Sequence, residues 1–142
     1  MHPGGLGRDD VFVNARWTAG ASLAATLPAR LEAAANLYAR EGFPIPYFEV
    51  GDSGDPTGGA KNVLITLHLD SYRLPALVLL DARLARRFAL GRPILTAAVD
   101  AFNLLDRSTT LQVTRDFELP SFARAREILR PRIVRLGLEL RF

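Results

Sequence analysis

The ten residues 133–142 read IVRLGLELRF, and from Val134 onward every second residue is apolar. Alternation with a period of two places apolar side chains on one face of a β-strand and polar side chains on the other. One face therefore carries Val134, Leu136, Leu138, Leu140 and Phe142, and the opposite face carries Arg135, Gly137, Glu139 and Arg141. Pro131 marks the start of this segment, where a missing N–H is tolerated. The segment predicts one long amphipathic strand.

Four earlier segments show the same alternation and predict further strands, at about residues 13–25, 30–40, 80–88 and 94–105. They are longer than the usual strand of a globular sheet, which has about five or six residues. The polar faces are expected to carry Arg30, Glu32, Asn36, Asp81, Arg83 and Asp100. The two aspartates are expected to pair with arginines such as Arg83 and Arg87. The chain is thus predicted to be all-β, with about five long antiparallel strands forming an open twisted sheet.

The connections between these strands differ in length in a regular order. Tight turns are expected around Pro28 and at 91–93, whereas long connections cover about 42–74 and 106–130. This asymmetry is typical of transmembrane β-barrels, whose strands need about 10 tilted residues to cross the bilayer. The sequence therefore favours a transmembrane β-barrel segment, with apolar side chains toward lipid and the polar residues as a lumen-facing wall. A soluble half-buried antiparallel sheet has the same alternation and remains the alternative.

The two long connections are the candidate ligand-contacting regions, because outward-facing loops carry recognition more often than walls do. The first contains the aromatic residues Tyr47, Phe48 and Tyr72. The second contains a predicted short amphipathic helix at 121–129, with Ser121 as its N-cap. Ligand contacts are expected from these loops rather than from the polar wall.

Composition excludes several classes of function. The formal net charge is +3, but the arginines are spread along the chain rather than gathered in one patch, so no nucleic-acid partner is expected. The chain has no cysteine, and its two histidines, His2 and His68, show no paired ligand spacing, so neither a metal nor another cofactor is expected. The longest apolar run, 74–80, contains Pro75 and is too short for a transmembrane helix.

Two strings resemble catalytic or nucleotide-binding motifs but lack residues that those motifs need. GDSGDP at 51–56 resembles the nucleophile loop of chymotrypsin-like proteases, yet the preceding histidine of that triad would have to be His2. Residues 54–62 resemble a phosphate-binding loop, but alanine separates Gly59 from Lys61 and asparagine replaces the Ser or Thr. No catalytic residue is assigned, and the chain is not expected to be an enzyme.

The last eight residues, RLGLELRF, resemble the β-signal of bacterial outer-membrane proteins, which the barrel assembly machinery binds on a terminal strand. The matching positions are the polar Arg135, the glycine Gly137, the hydrophobic Leu140 and the aromatic Phe142. The resemblance implies recognition by β-augmentation, in which an exposed edge strand pairs with the machinery before the barrel closes.

A wider resemblance covers nearly all of the chain beyond about residue 10. The segments LDARLARRF (80–88), VDAFNLLD (99–106) and PRIVRLG (131–137), preceded by TLP (26–28) and REGFPIPY (40–47), resemble the end of a TonB-dependent receptor barrel. More narrowly, these segments resemble the Oar-like group, whose members contain a carboxypeptidase-regulatory-like domain. Asn103 belongs to this family motif at a strand end, whereas Asp106 stands where the family often has a second asparagine.

The resemblance implies a fold and partners larger than this chain. Members of the family are outer-membrane barrels of about 22 strands with a plugged lumen, and they import scarce ligands. The implied partners are the rest of the barrel and the plug, the barrel assembly machinery and outer-membrane lipid. The TonB complex would act only through an N-terminal region that this sequence does not include. The implied localisation is the outer membrane of a Gram-negative-type bacterium.

These observations predict a C-terminal β-barrel segment at 11–142, preceded at 1–10 by a disordered stretch or the remnant of an upstream loop. The segment is expected to contribute barrel wall and extracellular loops to ligand uptake, without catalysis. Two alternatives remain: a small self-contained or oligomeric outer-membrane barrel protein, and a soluble β-sheet binding module. The transported ligand is not encoded in any motif of the sequence.

Overall fold

The computed structural model describes residues 14–52, 54 and 57–142. The predicted stretch at 1–10 lies outside the described residues, as do residues 11–13 of the first predicted strand. The described chain is all-β and antiparallel, and it forms two compact units. Its strands are β1 Thr18–Leu27, β2 Leu31–Arg40, β3 Phe48–Asp52, β4 Ala60–Leu64, β5 Leu77–Ala89, β6 Ile94–Phe102, β7 Thr110–Val113, β8 Ala125–Ile128 and β9 Ile133–Arg141.

The first unit is an open five-stranded sheet with the order β1-β2-β5-β6-β9. Each neighbouring pair is antiparallel, and the strands lie side by side in the order in which they occur along the chain. The sheet is therefore a meander, in which the long connections after β2 and after β6 contain the other four strands. These strands have 10, 10, 13, 9 and 9 residues, which confirms the prediction of about five long strands. In the described residues, the outer edges of β1 and β9 have no strand beside them.

Both tight turns lie at the same end of this sheet. Pro28–Arg30 forms a single 3-10 turn between β1 and β2, and Leu90 N–H donates to the carbonyl of Pro93 (2.9 Å) between β5 and β6. Gly91 has φ +88°, a conformation that glycine adopts without steric cost. The prediction that Arg30 lies in the strand wall is wrong. Arg30 has φ 58° inside the turn that Pro28 begins, and β2 starts one residue later.

Two strand boundaries also differ from the prediction. β1 begins at Thr18 rather than about residue 13, since residues 14–17 belong to the second compact unit. β6 ends at Phe102 rather than about residue 105, because Asn103 adopts a left-handed conformation with φ 49°. A non-glycine residue in this region cannot continue an extended strand.

The second unit contains residues 14–17, Glu41–Ala76 and Thr109–Ile128, so the two long connections are folded. β3 pairs with β4 and β7 with β8 as antiparallel hairpins. Phe48 N–H donates to the carbonyl of Arg115 (3.1 Å), and Phe117 N–H donates to the carbonyl of Phe48 (3.0 Å). These bonds join the two predicted loops through a local parallel bridge. Gly42 is obligatory here, because a Cβ at this position would overlap the carbonyl of Leu74.

The predicted helix at 121–129 is wrong. A turn closes where Arg124 N–H donates to the carbonyl of Ser121 (3.0 Å), and β8 follows at Ala125–Ile128. Ala123 has φ 59°, which excludes a helix through that position, and its N–H donates to Thr114 (3.0 Å). A run of nine residues is short enough for helix and strand patterns to be confused, and pairing with β7 decides the outcome.

Across the described residues, the structure has no helix with the length and apolar character that crossing a membrane requires.

Candidate functional site

One face of the five-stranded sheet is apolar and exposed, and we call it the apolar face. Its side chains line up across the strands in register, in rows such as Leu23, Ala35, Ala82, Ala101, Val134 and Ala25, Ala33, Leu84, Val99, Leu136. Leu23, Leu136 and Leu138 are 70%, 77% and 78% exposed. A soluble sheet normally buries such a face against another layer. In the described structure these leucine side chains are instead exposed to solvent.

A single charged residue interrupts the apolar face. Arg86 lies in the same cross-strand row as Leu31, Ala97 and Leu138, close to the end of the sheet that carries the tight turns. Its guanidinium lies 5.0 Å from the ring centre of Phe88, a cation–π contact on that same face. Near the end of a strand, a long arginine side chain can extend its charged group toward a polar region.

The opposite face, which we call the polar face, is organised around Asp100. Register places Arg83 on β5 and Arg135 on β9 directly opposite this residue. Arg83 Nη1 donates to Asp100 Oδ1 (2.7 Å), while Arg135 donates from Nε (3.1 Å) and Nη2 (2.9 Å) to Oδ2. Asp100 is 6% exposed, so two guanidinium groups satisfy one nearly buried carboxylate. The predicted pairing of Arg83 with an aspartate is confirmed.

The other predicted polar residues form separate pairs. Arg87 Nη2 lies 2.6 Å from Glu32 Oε1 rather than near an aspartate. The register explains this choice, because Glu32 is opposite Ala85, and Arg87 is two residues further along the same face. Diagonal neighbours of this kind are within reach of long side chains. On β1 and β2, Ser22 Oγ donates to Asn36 Oδ1 (2.8 Å).

Asp81 and Asn103 fasten the end of the sheet from which the second long connection leaves. Asp81 Oδ1 accepts a hydrogen bond from the backbone N–H of Asn103 (2.9 Å). The side-chain amide of Asn103 donates to the carbonyls of Arg107 (3.1 Å) and Arg130 (2.8 Å). Asn103 is only 4% exposed, so it ties together both ends of the connection between β6 and β9. Its backbone is left-handed, with φ 49°, so Asn103 lies just beyond the end of β6.

The four residues of the assembly-signal resemblance lie on or just beyond β9, an edge strand of the sheet. Arg135 binds Asp100, and Leu140 lies opposite Leu95 on the apolar face. Gly137 lies opposite Ala98, and a Cβ at Gly137 would meet no atom within 4 Å. Phe142 is 99% exposed. The fold of the sheet therefore does not itself require the glycine or the final aromatic residue.

In the second unit, the aromatic residues of the two connections form a chain of ring contacts. Tyr47 has its ring centre 5.5 Å from that of Tyr72 and 4.8 Å from that of Phe122. Phe122 in turn lies 5.0 Å from Phe117 in an edge-on arrangement. Of the predicted loop residues, Tyr47 and Tyr72 thus come together, whereas Phe48 lies in β3 and joins the connections through its backbone. The contributions of Phe117 and Phe122 depend on long-range pairing and were not predicted.

An ion-pair network in the same unit was also not predicted. Arg16 Nη2 lies 2.5 Å from Asp70 Oδ2, and Arg73 lies 3.3 Å from Glu41 and 3.5 Å from Asp70. The hydrogen bond from Arg16 lowers the pKa of the Asp70 carboxyl below its usual value, with a smaller contribution from Arg73. Arg73 also donates to the carbonyl of Gly42 (3.1 Å). The network holds the start of the first long connection to its end.

Among the described residues, no cluster of three or more His, Cys, Asp or Glu side chains is placed to hold a metal ion. One open hollow on the polar face is lined by residues that include Asn36, Asp81, Arg83, Asp100 and Phe102.

Comparison with known proteins gives no match to a family model, to a curated protein or to a solved structure. Function is therefore inferred from the chain's own residues and geometry.

Proposed function

We propose that the five-stranded sheet is part of the wall of an outer-membrane β-barrel, with its apolar face toward lipid and its polar face toward an aqueous lumen. The proposal extends to the family that the sequence resembles: the chain would be the C-terminal part of a TonB-dependent receptor of the Oar-like group. It would contribute barrel wall and extracellular ligand-contacting loops to ligand uptake, without catalysis. The observation that carries the proposal is the continuous, exposed apolar face of a sheet whose other face is charged.

The exposure of the apolar face is costly in water. Removing one leucine side chain from water contributes about 1.5–3 kcal/mol, and three leucines of this face remain more than half exposed, as does Val134 at 60%. Soluble monomers rarely keep contiguous apolar patches of this size. A lipid environment removes the cost without any further protein layer, because hydrocarbon chains provide the apolar contact.

The dimensions of the strands suit a bilayer. A transmembrane strand needs about 9–11 residues at a tilt of about 45°. The five strands of the sheet have 9 to 13 residues, whereas the four strands of the second unit have 4 or 5. Among the described strands, those of the five-stranded sheet, which have an apolar face, are long enough to span a membrane, and those of the second unit are too short.

The connections and the edge strand support the same proposal. Both tight turns lie at one end of the sheet, and the connections that hold the aromatic chain leave from the other end, as in barrels with short periplasmic turns and long extracellular loops. Within the part of the chain that the structure describes, β9 has no strand beside its outer edge, and it carries the residues that resemble the assembly signal, which would suit capture by β-augmentation. The proposed partners are accordingly the barrel assembly machinery, lipid and the remaining parts of the receptor.

A fluorescence experiment on the full chain tests the proposal. Because the chain has no native cysteine, an introduced cysteine is the single site that a thiol-reactive fluorophore labels. Leu136→Cys and Gly137→Cys place one thiol on each face of β9 at almost the same depth. Each variant is labelled with an environment-sensitive fluorophore and refolded into phosphatidylcholine vesicles with brominated acyl chains. We expect strong quenching at position 136 and little at position 137. Equal quenching at both positions, or a soluble, monomeric and cooperatively folded chain, would contradict the proposal.

A further inference from the structure

Arg86 places a positive charge on the apolar face, close to the tight-turn end of the sheet. It lies in the same cross-strand row as Leu27 and Leu31, the pair that directly flanks the turn between β1 and β2. Its guanidinium lies 5.0 Å from the ring centre of Phe88, which is two residues nearer to the end of β5. The charged group therefore extends along the face toward the turns.

This end of the sheet has a local excess of positive charge. Each tight turn contains one arginine, Arg30 or Arg92, and no acidic residue. Arg30 directly precedes Leu31, which is opposite Arg86. Among the described residues, no carboxylate lies within ion-pair distance of Arg30, Arg86 or Arg92, whereas the acidic residues of the polar face at this end have arginine partners. An anion is the ligand that this charge favours.

An open groove on the apolar face begins beside Arg86. Its volume is about 330 Å³, near the lower end of the range for small-molecule sites, roughly 300–1,000 Å³. Ala97 is opposite Arg86, and its small side chain leaves the floor of the groove open. The larger apolar side chains along the groove include Leu31, Leu84, Val99, Leu136 and Leu138. Three of these form the next row away from the turns, so the groove runs from the guanidinium toward the middle of the apolar face.

The depth of Arg86 suits the boundary of a bilayer. It lies three residues before the end of β5 at Ala89. With a rise of about 3.3 Å per residue and a strand tilt of about 45°, this places its Cα about 7 Å from the strand end along the membrane normal. An arginine on the lipid face is strongly destabilising at the midplane but is tolerated near an interface, where its long side chain reaches the headgroups.

We propose that the groove is a binding site for one anionic phospholipid, with the lipid phosphate on the guanidinium of Arg86 and an acyl chain in the groove. The proposal rests on the proposed function, because a headgroup layer lies at this end only if the sheet is embedded in a membrane. Guanidinium groups bind phosphate through charge-assisted hydrogen bonds, often two in parallel. Arg30 adds a second positive charge beside the headgroup. A zwitterionic lipid carries its own ammonium group next to the phosphate and gains less from these arginines.

A comparison of brominated lipids in vesicles tests this site. The full chain is labelled with a fluorophore at Leu95→Cys, which is opposite Phe88 in the row next to that of Arg86. Phosphatidylcholine vesicles contain a minor, constant fraction of lipid with brominated acyl chains, either phosphatidylglycerol or phosphatidylcholine. The ratio of the two quenching efficiencies measures the preference for the anionic lipid. We expect a preference of roughly fivefold, the effect of one arginine near an anionic lipid surface.

Three variants separate the site from a general attraction of the chain to anionic lipid. Arg86→Gln is expected to abolish the preference, whereas Arg87→Gln removes the same charge one residue away on the polar face and is expected to retain it. Ala97→Leu fills the floor of the groove without changing the charge and is expected to reduce the preference. Equal quenching by the two lipids in the chain labelled at position 95 would overturn the proposal. The same loss in both arginine variants, or full preference in Ala97→Leu, would also overturn it.

Inorganic phosphate distinguishes a lipid from a free anion as the ligand. Replacing chloride with phosphate at constant ionic strength is expected to leave the preference unchanged, because a free ion does not fill the apolar groove. Loss of the preference would indicate an anion site without a lipid chain and would overturn the proposal. Quenching at position 136 in brominated phosphatidylcholine separates the two proposals. A chain that is quenched there but shows no lipid preference overturns the lipid site alone, whereas an unquenched chain overturns the membrane proposal and the lipid site with it.

Discussion

Asn103 is the residue whose replacement tests the architecture of the sheet most directly. It is 4% exposed, its amide donates to the carbonyls of Arg107 and Arg130, and its Oδ1 accepts from Arg107 N–H (3.3 Å). Its backbone is left-handed with φ 49°. Asn103→Ala removes the side-chain bonds and places alanine in a disfavoured conformation. We expect the chain to remain folded but with a clearly lower free energy of unfolding.

The magnitude follows from two separate contributions. A net hydrogen bond contributes about 0.5–1.5 kcal/mol, and the carbonyls released here belong to exposed residues that water can reach, so values near the lower end apply. The left-handed conformation costs an ordinary residue with a Cβ roughly 1–2 kcal/mol, and alanine lacks the local side-chain hydrogen bonds with which asparagine offsets this cost. We expect Asn103→Ala to lose about 2–4 kcal/mol in total. Asn103→Gly keeps the backbone conformation accessible and is expected to lose only the hydrogen-bond part, about 1–2 kcal/mol.

Urea unfolding of the full chain in detergent, followed by far-ultraviolet circular dichroism, measures these differences. The matched control is Asn36→Ala, which removes one exposed hydrogen bond with Ser22 on the polar face. Its effect is expected to stay within about 0.5 kcal/mol. Equal stability of the alanine variants at positions 103 and 36 would refute the role of the Asn103 side chain in holding the ends of the connection between β6 and β9. An identical loss for Asn103→Gly and Asn103→Ala would refute the contribution of the left-handed backbone. The m-value should stay constant across the series, since the surface exposed on unfolding is unchanged.

Three further predictions concern the apolar face that is proposed to contact lipid, the residues that resemble an assembly signal, and the ion-pair network. Leu136→Arg is expected to destabilise the vesicle-inserted chain by about 2–4 kcal/mol, because position 136 is proposed to contact lipid. In a soluble sheet, where position 136 is exposed to water, the substitution would have little effect. An unchanged unfolding midpoint in vesicles would therefore reject lipid contact. Gly137→Ala is expected to leave the free energy of unfolding after refolding within about 0.5 kcal/mol of the native value. The same substitution is expected to reduce assembly in cells, measured by outer-membrane fractionation. A loss of both stability and assembly would assign the glycine to folding instead. Because Asp70 has a lowered pKa in the folded chain, its stabilising contribution is present at neutral pH and is lost as the pH falls from the usual carboxyl range through that lower value. The difference in urea midpoint between the native chain and Asp70→Asn should therefore shrink on acidification, and a difference independent of pH contradicts the role of Arg16.

The faces of the strands could be predicted from the sequence because side-chain alternation is a local property. Leu136 and Arg135 fall on opposite faces in any register, and Pro28 and Gly91 mark turns through their own backbone preferences. The pairing of Arg87 with Glu32 depends instead on the register of two strands that are separated by the whole first connection. Local patterns carry no information about such an offset.

The errors in the prediction have the same physical origin. The segment 121–129 shows features of both helix and strand, and the decision comes from hydrogen bonds to β7 and to Thr114. Likewise, the chain around Asn103 continues the apolar alternation, but the contacts of its side chain with residues 107 and 130 stabilise a turn. In each case a non-local interaction overrides a local preference. The aromatic contacts between Tyr47 and Phe122 could not be anticipated for the same reason.

The face and the edges of the sheet impose two independent requirements on the surroundings. The polar face is largely self-sufficient, because the carboxylates of Asp100 and Glu32 are paired with guanidinium groups. The apolar face needs an apolar environment of no particular shape, and lipid meets that need. The edges need directional partners, because backbone N–H and C=O groups are satisfied only by strands in register. Lipid cannot form hydrogen bonds with the backbone groups at the sheet edges, and a strand paired with an edge does not cover the apolar face. The proposed barrel in a bilayer would meet both requirements, because lipid would cover the apolar face and neighbouring strands would pair the edges.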